Sequence, residues 1–175
     1  MSLKEVHSYF SRKNNLVLHH LGKNVSLKAK KIVLVGGCFD ILHFGHLEFL
    51  KYARSQGDHL VVALEPDARI LQKRSIVIHT QKQRGMILAP YVDTIIMIDK
   101  LYNQHDYQQL TKDVMPHVIA ITKGDPKTTE KNYCALSVKA ELIPVTCRIN
   151  PFSTTHLISL WKAKKSLKIF YNTSH

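Results

Sequence analysis

From Lys31 onward the chain alternates short apolar runs with longer amphipathic stretches. "KIVLVGG" is a near-continuous apolar run ending on two glycines, the pattern of a buried strand running into a turn. "FGHLEFLKYARSQGD" changes to a helical period, with Leu47, Leu50 and Ala53 on one face and Gly57 placed as a C′ terminator. "HLVVALE" predicts a second strand, and Thr80-Gln81-Lys82-Gln83 has the form of a capping box opening a helix through Leu88. "VDTIIMID" predicts a third strand, "HDYQQLTKDV" a helix and "HVIAITKG" a fourth strand. A helix around Thr129–Lys139, a short strand in "AELIPVT" and a last helix after Ser153 follow. Near the start, Leu3, Val6, Tyr9 and Phe10 fit helical spacing and predict a short amphipathic helix.

Strands that alternate with helices of about ten residues form βαβ units. The expected fold class is α/β, a doubly wound parallel sheet between two helical layers. Right-handed crossovers bring the strand C-termini to one edge, where such sheets bind ligands. The expected organisation is a basic, helical extension over 1–30, one domain over 31–163 and a basic tail over 164–175. A chain of 175 residues is long enough to bury such a core without staples.

Composition narrows the partners. Twenty-five Lys and Arg against thirteen Asp and Glu give a net charge of +12. That field draws polyanions: nucleic acid, anionic membrane or phosphorylated small molecules. Cys38, Cys134 and Cys147 are odd in number and lack CxxC or CxxH spacing, so no disulfide framework or zinc finger is indicated. The first twenty residues show no apolar core of a signal peptide, and no run approaches the roughly 18 apolar residues of a membrane span. The expectation is a reduced, cytoplasmic, soluble protein with no membrane span.

The chemistry concentrates in "VGGCFDILHFGHLEF", Val35 to Phe49. Gly36 and Gly37 end a strand, and His43 and His46 sit on the first turn of the following helix. Unsatisfied backbone N–H groups and the positive helix end make such a junction an anion site. It is neither a Walker A loop nor a GxGxxG turn.

"GGCFDILHFGHLEFL" resembles the signature G-x-F-D-x-x-H-x-G-H of cytidylyltransferase-like nucleotidyltransferases. "RINPFSTTHLI" resembles that family's R-T-E-G-I-S-T-T motif, and "TQKQRGMIL" its E-x-R-x-x-x-L segment, with Lys82 or Gln83 where the acidic residue usually stands. The resemblance runs from about Lys31 to Trp161. It implies a Rossmann-like fold and transfer of a nucleotidyl group from an NTP, CTP or ATP, to a phosphorylated small molecule, with Mg²⁺ accompanying the NTP and pyrophosphate leaving. By motif position, His43 and His46 would be catalytic and contact the triphosphate, and Gly45 would let phosphate approach the backbone. Gly36, Gly37, Cys38 and Phe39 would form the nucleotide-binding turn; Asp40 would brace it or assist substrate or Mg²⁺. Ser153, Thr154 and Thr155 would present hydroxyls and N–H groups to the phosphates. Arg84 and Lys51 would add cationic clamps. Lys123, in "TKGDPK", stands in the family's substrate-loop segment. Arg148 ahead of S-T-T resembles CTP-using members, such as those acting on glycerol 3-phosphate or phosphoethanolamine, and favours CTP. "GCFDILH" resembles adenylyltransferases acting on heptose 1-phosphate. The R-T-E-G positions here read Arg148-Ile149-Asn150-Pro151, and proline removes a backbone donor. The resemblance is also compatible with a homodimer.

Other readings compete with these. His43 and His46 without a third ligand make a poor zinc site, so no metal ligand is assigned. A basic nucleic-acid-binding module would account for the charge but lacks helix-turn-helix or aromatic-stacking patterns. The altered R-T-E-G loop is also compatible with a nucleotide sensor that has lost turnover.

Overall fold

The computed structural model describes residues 15–73, 76–101, 103–147 and 156–161. The strands are β1 (Asn15–His19), β2 (Ile32–Gly37), β3 (His59–Leu64), β4 (Thr94–Ile98), β5 (Val118–Lys123) and β6 (Glu141–Cys147). The helices between them are α1 (Phe44–Arg54), α2 (Asp67–Lys73), α3 (Gln81–Leu88), α4 (Gln104–Val114) and α5 (Thr128–Ser137), and residues 156–161 are again helical. The strands form one sheet in the order β1-β4-β3-β2-β5-β6, with every pairing parallel. This is the expected doubly wound α/β architecture. The N-terminal helix expected over Leu3–Phe10 and the tail over 164–175 lie outside the described residues.

Alternation along each strand divides the core. Val33 and Val35 of β2, Val62 and Leu64 of β3 and Ile95 of β4 pack under Leu50 and Ala53 of α1 and Leu88 of α3. On the other face Leu34, Val61, Ala63, Ile96 and Ile98 meet Leu110 and Val114 of α4, and Ile119 and Ile121 meet Cys134 and Ala135 of α5. Both faces are covered, so the strands read as nearly unbroken apolar runs.

Two elements lie outside the sequence expectation. Residues 15–19, inside the stretch assigned to an extension, pair with β4 from Asn15↔Thr94 to His19↔Ile98. β1 is also tied across the sheet face to α4: the buried His19 Nε2 lies 2.9 Å from Asp113 Oδ2, and Gly22 N–H donates to the same oxygen at 2.8 Å. Helix α2 follows Pro66 and buries only Ile70, too little periodicity to be legible beforehand.

One local feature shapes the site. β2 pairs with β3 over six residues, up to Gly37↔Leu64. With β5 it pairs only at Val33↔Val118 and Leu34↔Ile119. Above Leu34 the two strands part at the point where successive connections diverge to opposite sides of β2, the place where doubly wound sheets open a ligand crevice.

Candidate active site at the glycine turn

The turn after β2 and the start of α1 bring most of the expected residues together. Gly36 is exposed and Gly37 half-buried. A Cβ on Gly37 would meet the Phe39 ring at 3.0 Å, so the glycine is what lets that ring fold under the turn. Phe39 itself adopts a left-handed backbone, φ 49°, and its buried ring lies 4.9 Å from the His46 ring. His43 is the N-cap of α1: its Nδ1 accepts the His46 backbone N–H at 3.4 Å. In a neutral ring that leaves the proton on Nε2, which becomes the donor. The rings of His43 and His46 stack with centroids 3.7 Å apart and planes 17° from parallel. Burial lowers the pKa of His43 below 6.5, against a smaller raising effect of its own backbone. No acidic residue occupies the first turn of α1, so the positive end of the helix is not neutralised from within. Gly45, second in the helix, stands between the two histidines.

Two buried side chains hold this turn. Asp40, 1% exposed, accepts the backbone N–H of His79 at 2.9 Å and of Ile78 at 3.1 Å, and its carbonyl lies 2.6 Å from His79 Nδ1. Asp40 thus ties the turn to the loop before α3. Arg84, expected as a cationic clamp, is a buried side chain bonded to backbone. It is 0% exposed, and its guanidinium donates to the carbonyls of Cys38, of Glu65 at 2.8 Å and of His79 at 3.1 Å, and to Asp67 Oδ1 at 2.6 Å. The planar fork of an arginine suits such convergent carbonyls. Arg84 therefore joins the ends of β2 and β3 to the loop before α3, whose capping box on Thr80 and Gln83 is present.

Beside the turn, on the face opposite α1, lies a cavity of about 620 Å³ between α4 and α5. Leu34, Ala63, Ile98 and Ile119 floor it, and Gly36, Gly37 and Cys38 form its upper rim. Sequence reasoning missed this cavity because its walls come from seven separate segments. It also missed Glu65, the last residue of "HLVVALE". Glu65 is 6% exposed; it accepts from Lys73 Nζ at 2.7 Å, Tyr107 Oη at 2.8 Å and Cys38 Sγ at 2.9 Å. Burial works to raise its pKa, but Lys73 and the three hydrogen bonds outweigh it, and the carboxylate sits below its ordinary range. Burial, followed by the Glu65 charge, pushes the Tyr107 hydroxyl well up, so it stays a donor.

The remaining expected residues fall elsewhere. Lys51 is on the solvent side of α1, 3.8 Å from Glu48, and does not reach the junction. Lys123 is exposed at the end of β5, next to Gly124 with φ +75°. Arg148, Ser153, Thr154 and Thr155 lie outside the described residues. Among the described residues no group of three or more His, Cys, Asp or Glu is placed to hold a metal, and no helix is long and apolar enough to cross a membrane.

A family model described as cytidylyltransferase-like matches residues 34–159, from inside β2 to past β6. The chain belongs to the cytidylyltransferase-like family. Glycerol-3-phosphate cytidylyltransferase of Bacillus subtilis is 35% identical over 91 residues, 52% of this chain and 67% of that protein. The bifunctional protein HldE of Campylobacter jejuni serotype O:6 is 41% identical over 140 residues, 78% of this chain. The chain spans only 29% of that relative and 21% of the HldE of Aliarcobacter butzleri, to which it is 39% identical over 112 residues. In fold it is similar to the lipopolysaccharide core biosynthesis protein of Thermoplasma volcanium, TM-score 0.54 at 24% identity over 70% of this chain and 98% of that one. It is also similar to the pantoate-beta-alanine ligase of Francisella tularensis, TM-score 0.54 at 15% identity over 83% of this chain and 66% of that one. Membership in the cytidylyltransferase-like family accords with the order of the motifs, the parallel sheet and the histidine pair at the glycine turn.

Proposed function

We propose that the chain is a nucleotidyltransferase that moves a nucleotidyl group from an NTP, CTP in the first instance, to a phosphorylated polyol or sugar. An acceptor phosphate oxygen attacks the α-phosphorus in line; the bond to the β-phosphate oxygen breaks and pyrophosphate leaves. No covalent enzyme intermediate is needed, so the protein's task is positioning and charge stabilisation. The observation that carries this reading is the stacked His43–His46 pair at the unneutralised N-terminus of α1, beside the exposed glycine turn. A neutral His43 with its proton on Nε2, and the N–H groups of the helix start, are donors for oxygens that gain negative charge in the transition state. The adjoining cavity gives the acceptor a place on the other side of the same turn.

Mg²⁺ enters this reading as part of the substrate, arriving on the triphosphate. The groups described at the junction are imidazoles and backbone N–H groups, which suit phosphate oxygens rather than a dedicated magnesium cage. The likeness to HldE proteins, 41% identity over 140 residues in one case, favours a second reading, adenylyl transfer from ATP to a sugar phosphate such as heptose 1-phosphate.

Thermal melting with Mg²⁺ and CTP, ATP, GTP or UTP tests both. A ligand at about 100 times its Kd stabilises by roughly 2.7 kcal/mol, a rise of about 5–11 °C for a chain of this size. The triphosphate that raises the melt is then tried with phosphorylated acceptors for pyrophosphate release. No shift with any of the four, and no release, refutes the proposal.

A further inference from the structure

The cavity between α4 and α5 has an uneven charge pattern. Of its lining cations, Lys73 is paired with Glu65, Lys127 with Glu130 at 2.9 Å and Lys131 with Asp125 at 2.7 Å. Arg69 instead meets a neutral group among the described residues: its Nη1 donates to Gln72 Oε1 at 2.8 Å, and its charge acts on the Tyr107 hydroxyl. Glu65, lining the same cavity, is a buried carboxylate. An ionised carboxylate has about four acceptor positions. Among the described residues, Lys73 and Cys38 occupy Oε2 and Tyr107 takes one position on Oε1, which leaves a fourth on Oε1. A fixed acceptor with one position left, sharing a cavity with a cation that has no carboxylate partner among the described residues, is a reader of neutral donors beside an anion.

We infer that Glu65, oriented by Lys73 and Tyr107, selects the acceptor: it receives a hydroxyl of a singly phosphorylated polyol or sugar and turns away acceptors with a second anionic group at that end. Arg69 supplies the unpaired positive charge for the acceptor's phosphate. The inference rests on the nucleotidyltransferase reading above. Its physical logic is one-sided. A hydroxyl donates into the remaining position on Oε1, whereas a carboxylate or phosphate there would face a carboxylate only 6% exposed with no proton between them.

The test uses the whole chain, its preferred NTP, and matched acceptors: glycerol 3-phosphate and a hexose 1-phosphate against 3-phosphoglycerate, which carries a carboxylate where glycerol 3-phosphate carries a hydroxymethyl. Glu65→Gln should lower kcat/KM for the hydroxylated acceptors by about 10- to 100-fold, the scale of one hydrogen bond to a charged group. It should leave the KM for NTP within about twofold, and narrow the preference for glycerol 3-phosphate over 3-phosphoglycerate by about tenfold or more. Tyr107→Phe, which keeps the carboxylate and frees Oε1, should retain the discrimination against 3-phosphoglycerate while raising acceptor KM several-fold. Wild-type turnover with acceptor kinetics and preference unchanged in both variants overturns this inference and leaves the transfer reading standing. Absence of turnover by the wild type with every NTP and acceptor overturns the transfer reading, and this inference with it.

Discussion

Arg84→Met separates a brace from a ligand clamp. The methionine fills the volume of the arginine stem but has no donors, so the carbonyls of Cys38, Glu65 and His79 lose the partner that Arg84 gives them. Each buried acceptor left unpaired costs about 1–3 kcal/mol. Asp67, whose side chain is 37% exposed, returns to water and contributes little. With partial relaxation the loss comes to about 3–5 kcal/mol, the usual range for removing one member of a buried charged network. For a chain of this length about 2–4 °C accompany each kcal/mol, so melting should fall by about 6–20 °C. Circular dichroism melts, with and without NTP, read this directly. Arg84→Lys should lose most of the same stability, because a point charge cannot span convergent carbonyls. The reasoning is refuted if Arg84→Met melts within about 2 °C of wild type while its NTP affinity drops tenfold or more, which is the behaviour of a group facing ligand.

Three further outcomes follow from the geometry. His46→Ala should lower kcat by about 100- to 1000-fold, the scale of one transition-state donor, with circular dichroism unchanged; undiminished turnover would remove His46 from the chemistry. Because burial holds the His43 pKa below 6.5, the unfolded chain binds the extra proton first, so this residue's share of stability is present above pH 6.5 and declines as pH falls through its folded value. An NMR titration of His43 and melts from pH 7.5 to 5 check this, and a His43 midpoint above 6.5 would contradict it. Gly57→Ala should cost about 1–3 kcal/mol by overpacking, since its Cβ would lie 2.5 Å from the Lys31 carbonyl oxygen and 2.6 Å from Val33 Cγ2; equal denaturant midpoints would show that the backbone yields there.

Gly57 also illustrates what local pattern reveals. Its expected place as C′ is one residue late, since the C-cap is Ser55 and C′ is Gln56. The reason differs, because the glycine is needed for close approach to β2 rather than for a left-handed turn. The buried strands were legible because a sheet covered on both faces demands unbroken apolar runs. The histidine pair was legible because its chemistry depends on spacing within one turn. Arg84 was legible as a fixed position but not as a brace: an arginine on a helix reads alike whether it faces ligand or the carbonyls of three loops. Glu65 and the cavity depend on contacts between α2, α4 and the ends of β2 and β3, which no window of sequence contains. Residues 15–19 are too short, and too polar at both ends, to announce a strand.

That strand changes what counts as the folding unit. The family match begins at residue 34, yet β1 covers the open side of β4, whose segment Thr94–Ile98 reads TIIMI. A version trimmed to the match would leave five backbone positions of a flat apolar edge ready to add a strand from another molecule, and would leave Asp113 buried without His19. The histidine pair and the glycine turn would remain, but such a version would begin inside β2, without Ile32 and Val33, and its open edge would be prone to stack into aggregates. The edge of this sheet is therefore closed by a segment that lies outside the family match.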